Sequence, residues 1–180
     1  SRGLGDVYKR QVKDINLITQ NPEISIVVET MGGTKPAYAF VKACLEAGKH
    51  VATSNKELVA AHGPELLEIA KAHHVSFLFE ASVGGGIPII RPLVSSITSD
   101  AVTEITGILN GTTNYMLTKM SEDGLDYDAV LEDAQERGYS ERNPAADVEG
   151  HDARRKIAIL SSLAFGKYVD YEDVYTCLLY

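Results

Sequence analysis

Between residues 14 and 79 the apolar positions switch repeatedly between a strand period and a helix period. Asp14 to Gln20 reads as a short helix, and Ile24-Ser-Ile-Val-Val-Glu29 follows with four β-branched residues in five, the composition of a buried strand. Ala37, Phe40, Val41, Cys44 and Leu45 then recur at helical spacing, on a helix that Thr34 is placed to cap and Gly48 to end. His50 to Thr53 reads as a second strand, Ser54-Asn55 as a turn, and the next residues as a helix to about Ala61. Pro64 is expected to open a further helix to His73, before a third strand at Val75 to Phe79. Strand, helix, strand, helix, strand with short links predicts a parallel α/β sheet. Such sheets bind ligands at the carboxyl ends of their strands, where Met31-Gly32-Gly33, Ser54-Asn55-Lys56 and Glu80 fall.

The pattern changes after Glu80. Ala81-Ser-Val-Gly-Gly-Gly-Ile-Pro88 is a glycine-rich crossing, followed by a helix from Pro88 to about Ile97 and an alternating stretch, Val102 to Leu109, that predicts a strand. Asn110-Gly-Thr-Thr113 caps a helix to Ser121, and Asp126 begins another that runs to Arg137 and closes at Gly138. A boundary near residues 82–88 divides residues 12–82 from an α+β unit at 83–175. Residues 1–11 and 176–180 fit neither periodic template and are expected to be foreign to the domain.

A long helix is predicted from Ala146 to Phe165, and it carries two charges on its apolar face. With Asp152 at zero and about 100° per residue, Lys156 falls near 40°. Ile159, Leu163, Leu160, Ala153, Ala164 and Ile157 share that arc, and Arg154, Arg155, Ser161 and Ser162 take the other side. Charges there cost desolvation unless paired or put to use. An acid–base group and a structural ion pair both satisfy that requirement.

Composition narrows the setting. The chain has 180 residues, 44% hydrophobic and 23% charged, enough for one full core or parts of two. A net charge of −8, with no basic run beyond Arg154-Arg155-Lys156, argues against a nucleic-acid partner. The apolar runs are strand-sized, so no membrane span is expected. Cys44 and Cys177 lack metal or CxxC spacing and read as reduced thiols of a cytoplasmic protein.

Several polar positions remain as candidates. Lys56 at the sheet edge could hold phosphate, move a proton, or serve as an ordinary surface lysine at a helix start. Gly84-Gly85-Gly86 suits a hinge or a nest, and Glu80 with the carbonyls of Val83, Gly85 and Ile87 could make a hard-cation site. Glu141, Asp147, Glu149 and Asp152 are dense enough to recognise an amino group, although a helix dipole alone explains acids in a first turn. The five histidines lack ligand spacing with one another and read as structural or solvated.

Taken together, six segments resemble homoserine dehydrogenase. They are Val27 to Gly33, Gly48 to Lys56, Glu80 to Ile90, Gly107 to Tyr115, Gly138 to Glu141 and Asp147 to Lys156, in order and without gaps over about Val12 to Tyr175. The resemblance implies a partial Rossmann-like parallel sheet followed by an α+β catalytic and dimerisation domain, in a cytoplasmic homodimer. It implies that Lys156 is the proton-transfer group and that Gly138, Glu141 and Asp152 bind homoserine, Asp152 holding the ammonium. Lys56, with Ser54 nearby, would lie between a NAD or NADP cofactor and the substrate hydroxyl. Glu80, Val83, Gly85 and Ile87 would hold a sodium-like monovalent cation. The reaction implied interconverts L-homoserine and L-aspartate 4-semialdehyde.

One departure stands out: no G-x-G-x-x-G follows a first strand, and Ser1-Arg-Gly-Leu-Gly-Asp6 has neither strand nor helix around it. No residue here reports a preference between NAD and NADP, and the fragment is expected to be weakly active or inactive. Another amino-acid or semialdehyde dehydrogenase of the same fold is the alternative enzyme. A non-catalytic oligomerisation module is the alternative outside enzymes.

Overall fold

A computed structural model describes residues 11–97 and 99–179. The reading of residues 1–10, including the segment Ser1 to Asp6, lies outside them. The chain begins with a one-turn helix α1 (Asn16–Thr19), then β1 (Ile26–Glu29), α2 (Ala37–Glu46), β2 (His50–Thr53), α3 (Lys56–Ala72) and β3 (Phe77–Leu78). The strands form a parallel sheet in the order β1-β2-β3, with Glu29 opposite Thr53 and Val51 opposite Phe77. Each strand–helix–strand passage carries the chain back to the same end of the sheet, so the β1–α2 and β2–α3 loops meet at the carboxyl edge.

The local chemistry departs from expectation at several places. Ile24 to Glu29 is not buried throughout: Ile26 and Val28 are exposed on one face of β1, while Val27 is half-buried and Glu29 buried. Thr34 does not cap α2; the residue before the helix is Pro36, and Thr34 contributes its backbone carbonyl to Tyr38 N–H. Residues 56–72 form one helix with Pro64 inside it. Proline leaves the Ala60 carbonyl without its intrahelical donor, and the Tyr168 hydroxyl donates to that carbonyl at 3.4 Å. β3 shrinks to two residues because its flanks are used elsewhere. Val75 N–H closes the end of α3 on Ala70 O, and Phe79 O starts a 3-10 turn at Glu80–Ser82.

Beyond that turn come α4 (Ile90–Ser95), α5 (Gly111–Asp123), α6 (Tyr127–Glu136), α7 (Ala145–Val148) and α8 (His151–Phe165), then a 3-10 turn at Tyr171–Asp173. The Asn110 and Gly138 readings fit what is observed: the Asn110 side chain caps α5, and Gly138 follows α6 with φ 73°. Val102 to Leu109 forms no strand, because a strand needs a ladder partner and none lies beside it among the described residues. The helix expected over 146–165 is broken in two at Gly150, whose φ of 75° ends one helix and turns the chain into the next.

One hydrophobic core joins Val41, Leu45, Val51, Leu58, Leu66 and Phe77 of the sheet unit to Ile159 and Leu160 of α8. Helix α8 therefore belongs to the core of the sheet although it lies far along the chain. A second, smaller core holds Met116, Val130, Ala134 and Val148, and Leu179 packs on it while donating its N–H to Val148 O at 2.9 Å. Among the described residues no helix is long and apolar enough to cross a membrane.

Candidate active site

The carboxyl edge of the sheet is laced together by buried polar groups. Glu29, at the end of β1, accepts from Met31 N–H and from the Thr53 hydroxyl, each at 2.5 Å. Thr53 Oγ1 accepts in turn from Asn55 N–H at 2.9 Å, and the Asn55 amide donates to Gly33 O at 2.7 Å. The Asn55 side-chain oxygen caps α3 by accepting from Leu58 N–H. The two loops are thereby fixed to each other, and Lys56 emerges as the first residue of α3.

Helix α8 presents Asp152 to this edge. Its Oδ1 lies 2.8 Å from Lys56 Nζ and its Oδ2 lies 2.7 Å from Lys156 Nζ. Asn110 Nδ2 donates to Oδ2 at 3.0 Å, and Lys156 also donates to Leu109 O at 2.9 Å. The pair read from the helical wheel is therefore real, and Asp152 is buried as that reading requires. What the wheel could not contain is the second lysine from α3. Burial pushes the Asp152 carboxyl up, but the Asn110 hydrogen bond and the two lysines outweigh it and hold it below the ordinary carboxylate value.

Three helix starts meet here: α3 brings Lys56, α5 brings its cap Asn110, and α8 brings Asp152 in its first turn. Each contributes partial positive charge, which stabilises the carboxylate and favours further negative charge beside it. A cavity of about 240 Å³ opens at this point, walled by Met31, Gly32, Gly33, Ser54, Lys56 and Glu57 on one side and Ala146, Asp152 and Arg155 on the other. Clefts of about 390 and 660 Å³ elsewhere are mostly apolar and contain none of Lys56, Asp152 and Lys156. The smaller cavity is the one lined by Lys56 and Asp152. Lys56 forms its wall and is partly exposed, whereas Lys156 reaches the same carboxylate from behind and is largely covered.

Arg155, placed by the wheel on the polar side, is not simply solvated. It pairs with Glu57 at 3.2 Å and lies over the Tyr171 ring. With Lys56–Asp152 it makes a double cross-link between the starts of α3 and α8. Neither Arg155 nor Asn110 was singled out as a site residue from sequence. Asn110 carried only a capping signal, and its contacts to residues 147 and 152 are invisible without the fold.

The structure does not gather every expected residue. Glu141 is exposed, and among the described residues only its backbone carbonyl is engaged, by Gln135 and Ser140. Gly138 spends its N–H on Gln135 O in closing α6, which leaves its carbonyl. The loop they share is anchored by Thr112, whose hydroxyl donates to Tyr139 O at 2.6 Å.

Glu80 caps α4. Its carboxylate accepts from the N–H groups of Ile89, Ile90 and Arg91 at 2.6, 2.7 and 2.9 Å. Desolvation raises its pKa and these three bonds overcome that, leaving it lowered. The donors expected beside it, the carbonyls of Val83, Gly85 and Ile87, are hard oxygens suited to an alkali cation. The Ile87 carbonyl folds over Gly84, 2.5 Å from where a Cβ would stand, so only glycine fits that turn. Among the described residues no group of three or more His, Cys, Asp or Glu side chains could hold a metal.

Comparison with known proteins agrees along the whole length. A family model for homoserine dehydrogenase matches residues 88–179, and one for the homoserine dehydrogenase NAD binding domain matches residues 6–80. Homoserine dehydrogenase of Synechocystis sp. is 51% identical over 161 residues, which are 89% of this chain and 37% of that protein. The crystal structure of a homoserine dehydrogenase from Thiobacillus denitrificans superposes with a TM-score of 0.89 at 41% identity, over 98% of this chain and 42% of that one. A hyperthermophilic archaeal homoserine dehydrogenase solved in complex with NADPH gives 0.80 at 28% identity, over 91% and 52%. The chain spans a little over a third of the length of the curated relatives it matches. With a family model matched to each half of the fold, the chain belongs to the homoserine dehydrogenase family.

Proposed function

We propose that the protein from which this chain comes interconverts L-homoserine and L-aspartate 4-semialdehyde with NAD or NADP. The observation that carries the reading is one buried carboxylate, Asp152, held by two lysines at the ligand-binding edge of a parallel sheet. The nicotinamide, when bound, supplies the hydride acceptor or donor. NADPH accompanies the archaeal relative, and the same cofactor class is taken here, with Gly32, Gly33, Ser54 and Lys56 walling its nicotinamide end. The cavity is smaller than the roughly 300–1,000 Å³ of whole-ligand pockets, so it suits one ring or one amino acid, with the pyrophosphate held elsewhere.

Oxidation of a primary alcohol removes a hydride and a proton together. In the reducing direction the Lys156 ammonium is the proton source: among the described residues two of its N–H groups are committed, to Asp152 and Leu109 O, and the third passes its proton to the aldehyde oxygen as hydride reaches the carbon. In the oxidising direction the neutral Lys156 amine takes that proton from the hydroxyl as hydride leaves. Lys56, at the wall, steadies negative charge developing on that oxygen, as do the three helix starts. Asp152 has three donors on it and room for one more, which is where a substrate ammonium fits. Glu141 and the Gly138 carbonyl complete substrate binding only if their loop swings in from its anchor on Thr112.

A sodium-like cation at Glu80, Val83, Gly85 and Ile87 would share the carboxylate with three N–H groups, and no step of the reaction depends on it. Homodimerisation through the second unit is supported by the stretch 102–109, which pairs with no strand among the described residues and leaves Ile108 exposed. A cytoplasmic location accords with two free cysteines. The test is turnover by the protein with its whole nucleotide-binding domain. Homoserine as the preferred substrate supports the reading; aspartate or malate in its place would favour another dehydrogenase. Cofactor binding without turnover would favour a non-catalytic role.

A further inference from the structure

Asn110 is placed between four groups and uses its whole amide on them. Its side-chain oxygen accepts from Thr113 N–H at 2.8 Å and from the Thr113 hydroxyl at 3.0 Å. Its side-chain nitrogen donates to Asp147 Oδ1 at 2.7 Å and to Asp152 Oδ2 at 3.0 Å. Both donors and both acceptor positions are filled, as a buried amide requires. Turning the amide over would press its oxygen against two carboxylates, so the network admits a single orientation.

Capping a helix needs only the oxygen, and Ser or Asp would serve as well. The nitrogen half has no part in the cap, and it is that half that reaches the site. The other donors to Asp152 are lysine side chains with long flexible stems. Asn110 is short, neutral and tied to the backbone at the start of α5.

We propose that Asn110 is a positioning residue for the reaction: it locks the Asp152 carboxylate, and Asp147 beside it, against the start of α5. Lys56 and Lys156 can then exchange partners when substrate enters without the acid losing its orientation. This rests on the dehydrogenase reading given above. The charged groups facing Asp152 are Lys56 from α3, Lys156 one turn along α8, and Asp147 from α7, with Glu57 and Arg155 on the cavity wall. Of the influences that lower the Asp152 pKa, the Asn110 bond is the foremost. Removing it lets the carboxyl protonate at higher pH.

Asn110→Ser keeps a capping oxygen and discards the donor, so it separates the two roles. In the protein with its full nucleotide-binding domain, kcat/KM for homoserine should fall about tenfold near neutral pH. The acid limb of its pH profile should move to higher pH, while the melting temperature stays close to wild type. An unmoved acid limb, or a drop in melting temperature with kcat/KM intact, would reduce Asn110 to a cap and overturn the proposal. A second measurement needs no variant and no turnover. In wild type, the Asn110 side-chain amide protons should exchange slowly, and their NMR shifts should follow the titration of Asp152. Fast exchange like that of a solvated amide would overturn the proposal even if Asn110→Ser failed to fold. If the enzyme ignores homoserine while these protons behave as expected, the dehydrogenase reading fails and the bond to Asp152 stands.

Discussion

Lys56 and Lys156 hold opposite oxygens of the same carboxylate, at 2.8 and 2.7 Å, and reach it from different helices. One lysine walls the cavity and the other is tucked behind Asp152. The ion pair within α8 is thus half of a three-member arrangement that joins the sheet unit to the helix.

That arrangement predicts unequal costs for its members. Asp152→Ala leaves two lysines without their shared anion, a loss of about 3–5 kcal/mol by analogy with broken buried pairs. Lys156→Met removes one lysine while Asp152 keeps Lys56 and Asn110, and the new side chain fills similar volume. Its cost should stay below about 2 kcal/mol. Thermal unfolding of the two variants checks this, and equal losses would contradict it.

The acid side of the stability profile follows from Asp152 and Glu80, both depressed in the folded state. Their contribution is complete above the unfolded carboxylate value of about 4 and is lost as pH falls through the lower folded values. Melting temperature should therefore drop on the acid side, and less steeply in Asp152→Asn, which has one such group fewer. An unchanged acid slope in the variant would mean that Asp152 is not one of the groups responsible.

Glu80 accepts three backbone N–H groups at the start of α4, so Glu80→Ala should cost about 1–2 kcal/mol whatever else binds there. Hydrogen exchange at Ile89, Ile90 and Arg91 reads the loss locally. The proposed cation adds a separate expectation. Sodium chloride should raise the melting temperature over choline chloride at equal ionic strength, and Glu80→Ala should abolish the difference. No difference in wild type would contradict the cation.

Much of this was legible in the sequence because it is periodic or local. The parallel sheet edge, the Asn110 cap and the Asp152–Lys156 pair each follow from spacing within a few residues. Contacts across distance were not. Pro64 reads as a helix start, since nothing nearby shows that Tyr168 will serve the carbonyl it orphans. Gly150 sits within an apolar spacing that continues across it, and only its positive φ reveals the break. Lys56 looks like a surface lysine until the fold brings Asp152 to it. Val102 to Leu109 has the alternation of a strand, but alternation does not supply a ladder partner.

The most direct test takes the protein with its whole nucleotide-binding domain and follows nicotinamide absorbance with homoserine as the sole substrate. Wild type and Lys156→Ala are compared, with cofactor affinity measured for both. Wild-type turnover, lowered by about 10²–10⁴ in the variant at unchanged cofactor affinity, is the result expected of a proton-transfer lysine. Turnover surviving within a few-fold would contradict the role given to Lys156, and no turnover in wild type with cofactor bound would contradict the reaction itself.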